Sequence, residues 1–233
     1  MSLLNSNLRS HDFCGSAEQM RKTVANKRQR GFSMVEVLIV VIILFILLTI
    51  AIPSVMSIGR SMRIGGDTRA IAAEVNLARM RAAANFTHAR LYVDLNGNSF
   101  HIEIWNKAGA CWWHTDSDTS GTCTQAASAT VLAQGDTYGF GSISAGPTAA
   151  TSTIAQAPAC TVGVAGPAPG ANIANTACIE FNSRGYPVDS TNAIVASDAI
   201  YLSNNSKLFS AVAVAIAGQP TAYGYSGSSW AGL

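Results

Sequence analysis

Charge is scarce in this chain: Lys, Arg, Asp and Glu make up 12% of its 233 residues, and between Phe32 and Ile52 the one charged side chain is Glu36. The basic residues that exist are concentrated ahead of that run. Arg9, Arg21, Lys22, Lys27, Arg28 and Arg30 precede Gly31, against Asp12 and Glu18. From Phe32 onward nine basic residues stand against eleven acidic ones, a formal net charge of −2 with histidines neutral. That balance supplies no basic field, and no basic residue follows Lys207. Nucleic acid, which is bound by cations that displace counterions, is therefore disfavoured as a partner. The chain also lacks a C-x-x-C pair and any histidine at ligand spacing, which argues against a zinc site. His88, His101 and His114 are scattered, and there is no Ser, His and Asp grouping and no pair of carboxylates poised for acid–base work. These absences exclude an enzyme reading and leave no legible cofactor, metal or small-molecule ligand.

What is present is a long apolar run. Its 21 residues, Phe32 to Ile52, would rise roughly 30 Å as a helix, the thickness of a bilayer's hydrocarbon core. A cleaved secretory signal fits poorly, because its apolar region should be about 7 to 15 residues long and end at a small-x-small site. This run instead continues into Ala51-Ile52-Pro53. Glu36 is the anomaly. A carboxylate inside a membrane segment costs on the order of 2.5 to 3.5 kcal/mol on insertion scales, so it is a functional candidate whose partner must be sought.

The order basic run, Gly31, Phe32, Glu36, apolar run resembles the class III signal of type IV pilins and type II secretion pseudopilins. The resemblance implies that a prepilin peptidase cuts after Gly31 and that the new N-terminal Phe32 is N-methylated. Glu36 then falls at the fifth mature position, where the family's glutamate meets the N-terminal amine of a neighbouring subunit. Pairing the two charges would relieve the burial cost of both. The implied organisation is a leader over 1–31, a transmembrane and assembly helix over 32–52, the second half of that helix over 53–86, and a β-rich head over 87–233. The basic leader keeps the N-terminus cytoplasmic, so the head would lie in the periplasm of a single-pass bacterial inner-membrane protein, before passage into a pilus or pseudopilus. Partners implied by the resemblance are other pilin or pseudopilin subunits, the prepilin peptidase, the inner-membrane assembly platform and the membrane itself. Met1 and Met20 both remain open as the start of the chain.

The fold class expected is α+β: the long N-terminal helix of the type IV pilin fold packed on an antiparallel sheet. Ile64, Ile71, Val75, Ala78 and Ala82 recur at helical spacing and form a stripe that would pack on the head. Pro53 would kink this helix, a bend or local melting is expected at Gly65-Gly66, and Arg63 and Asp67 are four residues apart and placed to pair. Leu91, Val93 and Leu95 alternate with polar positions, as do Phe100, Ile102 and Ile104. Asn96-Gly97 between them supplies the φ > 0 residues of a tight hairpin turn. Further strands are expected at Thr137–Ser144, Cys178–Asn182, Ala199–Ser203, Leu208–Ala217 and Thr221–Tyr225, with Ala145–Ala174 as loop. The segment Ile179 to Pro187 and the late strand pair resemble the head of H-type pseudopilins and of FimT- and FimU-type minor pilins.

Of five cysteines, Cys14 lies in the leader. The other four allow three pairings in an oxidising compartment; Cys111 with Cys123 and Cys160 with Cys178 is favoured, since each pair closes a loop with little core of its own. Asp116-Ser117-Asp118-Thr119-Ser120-Gly121 matches the start of a calcium loop, but Ala127 stands at the twelfth position where glutamate is required, so a solvated acidic loop is the better reading. Trp112 and Trp113 either form an exposed contact surface or cover the adjacent disulfide, with burial expected for at least one. The favoured function is a minor pilin or pseudopilin. The competing readings are a FimT-like DNA-binding pilin, for which the expected C-terminal basic motif is missing, and an anchored binding domain that never assembles.

Overall fold

The computed structural model describes residues 31–113, 123, 129–147, 154–195, 198–204 and 208–233, except the side chains at 53 and 54. Residues 1–30 with Cys14 and Met20, the Asp116–Gly121 loop, His114, Ala127 and Lys207 lie outside the described residues. The chain divides into two compact units, residues 1–48 and 49–233. Helix α1 (Met34–Ala84) contributes to both. In the first unit its side chains are exposed on every face, with no apolar stripe turned to a core. A helix that is apolar all round is suited to lipid or to burial among other helices. It is long and apolar enough to cross a membrane.

In the second unit α1 does carry a buried stripe. Ile64, Ile71, Val75, Ala78 and Ala82 are all 5% exposed or less, and Thr68 completes the row through hydrogen bonds to Ile64 O and Ser210 Oγ. The helix continues through position 53 and through Gly65-Gly66, so local melting at the glycine pair does not occur. Each helical glycine costs about 1 kcal/mol relative to Ala, and the anchoring of Ile64 and Thr68 on either side offsets that. Asp67 is used differently from the expected helix pair: its Oδ2 accepts the backbone N–H of Ala133 at 2.7 Å.

The stripe packs on two antiparallel sheets. The first has the order β3 (Cys111–Trp113), β2 (Ser99–Asn106), β1 (Ala89–Asp94), β6 (Thr176–Phe181), β7 (Pro187–Val188), with β4 (Thr130–Val131) also on β2. The second has the order β11 (Trp230–Gly232), β10 (Pro220–Tyr225), β9 (Leu208–Val214), β8 (Ala199–Asn204), β5 (Asp136–Tyr138). Leu91, Val93, Phe100, Ile102, Ile104, Ile179 and Phe181 of the first sheet, and Ile200, Leu202, Val212 and Val214 of the second, join the helix stripe in one core. The architecture is the α+β class expected from the sequence. β6 and β8 are buried at all six positions, because each is a central strand covered on both faces.

Several boundaries differ from the sequence expectation. The β1–β2 turn takes its positive φ at Asn98 rather than at Asn96-Gly97. Asp94 Oδ1 accepts the N–H groups of Asn96 and Gly97, both at 2.9 Å, and fixes them in an Asx-type turn. Of the expected Thr137–Ser144 strand only Thr137 and Tyr138 are extended, within β5, since Gly139 and Gly141 adopt positive φ and turn the chain. The strand from Leu208 ends at Val214, where Ala215 and Gly218 close the turn to β10. The short strands β3, β4, β7 and β11 carry too few residues for a period-2 pattern to announce them.

Candidate functional site

Two groups of residues bear on function. The first is Gly31 to Glu36. Ser33 O accepts the first helical hydrogen bond, from Val37 N–H at 3.1 Å, so Ser33 stands at the N-cap and Glu36 at the third helical position, the spacing of a capping box. Glu36 lies in the first turn, where the positive end of the helix dipole favours a carboxylate. Glu36 is exposed, and Phe32 is 77% exposed. Both are accessible in the isolated chain. Residues 26–52 match the prokaryotic N-terminal methylation motif. The motif supports a type IV pilin-like chain processed by prepilin peptidase. No curated protein and no solved structure matches this chain.

The second group lies on the outer face of the first sheet. The strand register sets Glu180 of β6 opposite Arg90 of β1, and Arg90 opposite Glu103 of β2. This row of alternating charge is buried, with Arg90 at 2%, Glu103 at 1% and Glu180 at 9% exposure. Arg90 Nε donates to Glu103 Oε2 at 2.6 Å and Nη1 donates to Thr161 O at 2.6 Å. The guanidinium carbon lies 4.0 Å from the centre of the Trp112 ring. His101 Nε2 lies 3.3 Å from Glu103 Oε1, and His88 Nδ1 lies 2.9 Å from Glu180 Oε1, which also accepts Ala165 N–H at 2.9 Å.

The electrostatics follow from burial and pairing. Burial alone would push the Glu103 carboxyl up, but the His101 hydrogen bond and the Arg90 guanidinium hold it below the usual carboxylate range. Burial lowers Arg90, with Glu103 opposing it; the guanidinium remains a cation. Burial raises the neighbouring Tyr92 phenol, and the Glu103 charge adds to it. The row presents no nucleophile with a partner base, and its chemistry is the fastening of the segment that covers it.

Cys160 and Cys178 form a disulfide at the edge of this row, and Cys111 pairs with Cys123. Trp112 is buried against Arg90, and Trp113 is partly buried against the core. Among the described residues no cluster of three or more His, Cys, Asp and Glu is placed to hold a metal ion.

Read as alternating apolar and polar positions, β1 and β2 imply a solvated polar face. In the structure that face is covered: Arg90, Glu103 and Glu180 are interior, and His88 and His101, scattered in the sequence, are their partners. The signal was available in the hairpin register, which places Arg90 opposite Glu103. Only the fold of residues 157–175 puts a roof over them.

Proposed function

We propose that the chain is a minor pilin or pseudopilin, a structural subunit assembled into a type IV pilus or a type II secretion pseudopilus. The observation that carries this reading is the methylation motif at residues 26–52 leading directly into the lipid-suited part of α1. On this reading residues 1–31 are a leader removed after Gly31, Phe32 becomes the N-methylated terminus, residues 32–52 anchor the subunit in the inner membrane, and residues 87–233 form the periplasmic head. The apolar helices of successive subunits then pack together, and Glu36 of one pairs with the Phe32 amine of the next, which sets their axial register. The resemblance of the head to H-type pseudopilins rests on the Ile179 to Pro187 segment and the late strand pair. Gly185 there has φ +76° and a Cβ would sit 3.2 Å from Arg79 Cγ, so any other residue at this turn would be strained.

The deciding experiment is the intact mass of the protein extracted from membranes of its own host, with Gly31→Ala as control. A chain beginning at N-methyl-Phe32, absent in the control, is the expected result. An uncleaved chain would leave an anchored extracytoplasmic domain and overturn the filament reading.

A further inference from the structure

The segment over the charge row is a small hairpin of its own. Val162 N–H donates to Ala171 O at 3.0 Å, Gly163 N–H to Pro169 O at 2.7 Å and Ile173 N–H to Cys160 O at 2.7 Å, while Thr161 and Asn172 form an isolated bridge. Its twelve residues, Thr161 to Asn172, contain no titratable side chain. Its apolar anchorage is small: Val162 is 61% exposed, Val164 is half-buried and Ala165 is buried. Its base is pinned at Cys160, by the disulfide to Cys178 and by Cys160 N–H donating to Thr176 Oγ1 at 3.0 Å. Beyond the base it is held by polar bonds. Arg90 donates to Thr161 O, the Trp112 indole donates to Gly163 O at 3.1 Å, Ala165 N–H donates to Glu180, and Gly166 N–H donates to Ser190 O at 3.0 Å.

We propose that residues 161–172 form a hinged flap over the outer face of the first sheet, closed while Glu103 balances the buried Arg90 beneath it and opened when Glu103 loses its charge. The reason is the asymmetry of a buried ion pair. With Glu103 ionised, the Arg90 cation is balanced and its donors are used. With Glu103 neutral, the guanidinium loses the carboxylate it is bonded to and keeps only the Glu180 charge across the strand pair, in a site from which the flap and Trp112 exclude water, and an under-compensated buried charge is unfavourable. Lifting the flap hydrates Arg90 at the cost of a few hydrogen bonds that water can replace. The hinge does not come free, because the disulfide holds Cys160 to β6. The flap itself moves as a unit, because its internal bonds are independent of the sheet.

The charged and titratable groups around Glu103 and Arg90 are Tyr92 on β1, His101 on β2, Glu180 on β6 and His88 just ahead of β1, with Asp189 and Glu180 lining a pocket of ≈ 190 Å³ beside the disulfide. Glu103 bonds the Arg90 guanidinium directly, whereas Glu180 bonds His88 and Ala165, so Glu103 is the trigger. Because the Glu103 carboxyl is held below the usual carboxylate range, the natural chain opens only in acid below that range. Opening bares the Arg90 cation and the Trp112 ring together, a face suited to an anionic or aromatic partner.

The test is residue-resolved amide exchange on the full chain in detergent, from pH 7 downward and corrected for intrinsic rates. A hinged flap predicts that Ala165 and Gly166 lose protection in acid while Val162, Gly163 and the β6 amides keep theirs. Glu103→Gln should bring that pattern to neutral pH, with exchange at Ala165 and Gly166 faster on the order of a hundredfold. The double variant Arg90→Met/Glu103→Leu, which has no charge to strand, should keep both amides protected in acid. The proposal is overturned if Ala165 and Gly166 exchange only together with β6, if Glu103→Gln changes nothing, or if the double variant opens in acid as the natural chain does. Should Glu103→Gln fail to fold, the double variant decides.

Discussion

Arg90 and Glu103 face each other across the β1–β2 register and share a 2.6 Å hydrogen bond, with side chains 2% and 1% exposed. Each needs compensating charge at its place, since each is an ion that water no longer reaches. Such a pair specifies an arrangement more than it adds stability.

Removing one partner should therefore be far worse than removing both. Glu103→Gln is expected to lower the unfolding free energy by about 3–5 kcal/mol, whereas Arg90→Met/Glu103→Leu should be no less stable than the natural chain. Equilibrium urea unfolding of the four members of the cycle measures this; additive losses would mean that the pair is not coupled.

Gly218 and Gly227 provide a matched comparison of backbone strain with and without crowding. Both have positive φ, +80° and +93°; a Cβ at Gly218 would run into Gly185 O and approach Arg79 Nε at 3.1 Å, whereas one at Gly227 would meet open space. Gly227→Ala should cost about 1–2 kcal/mol from the left-handed conformation alone. Gly218→Ala should cost more, because the turns joining β6 to β7 and β9 to β10 must also part around Arg79. Thermal unfolding of the two variants ranks them, and equal losses would refute the close approach.

Asp198 should make stability fall as pH rises. Burial, with the Asp189 charge adding to it, pushes its carboxyl up to about 6 from an ordinary 3.8. The folded chain thus binds this proton more tightly than the unfolded one. The associated stability is full below the ordinary value and is lost as pH rises through about 6. Asp198→Asn should gain in melting temperature relative to the natural chain at pH 7.5 but not at pH 4. Glu103, whose carboxyl is depressed, has the opposite sign: its contribution is present above the ordinary range and lost as pH falls through the depressed value.

Glu36→Ala tests the assembly role. It should leave membrane insertion and processing at Gly31–Phe32 intact, since an apolar residue in the first turn suits lipid better than a carboxylate. Recovery of the subunit in sheared filaments should fall sharply. Normal recovery would reduce Glu36 to a local contributor at the helix N-terminus, worth about 0.3–1 kcal/mol.

The parts of this protein that were legible in its sequence depend on local periodicity. A charge-poor run of 21 residues after a basic segment, a helical stripe from Ile64 to Ala82, and the alternation of Leu91, Val93, Phe100, Ile102 and Ile104 each state which face is apolar, and the core uses those faces. The hairpin register follows from the same pattern, because a one-residue slip would turn every side chain to the wrong face. Sequence alone determined the apolar anchor, the α+β class and the inner face of the first sheet. Tertiary structure decided what covers the outer face. Burial of Arg90, Glu103 and Glu180, the pairing of His88 and His101 with those carboxylates, and the placing of residues 161–172 above them all depend on a Gly-, Ala- and Pro-rich segment that has no periodicity. Its position is set by a disulfide and by hydrogen bonds from residues up to 71 positions away in the chain, contacts that exist only after the sheet has formed.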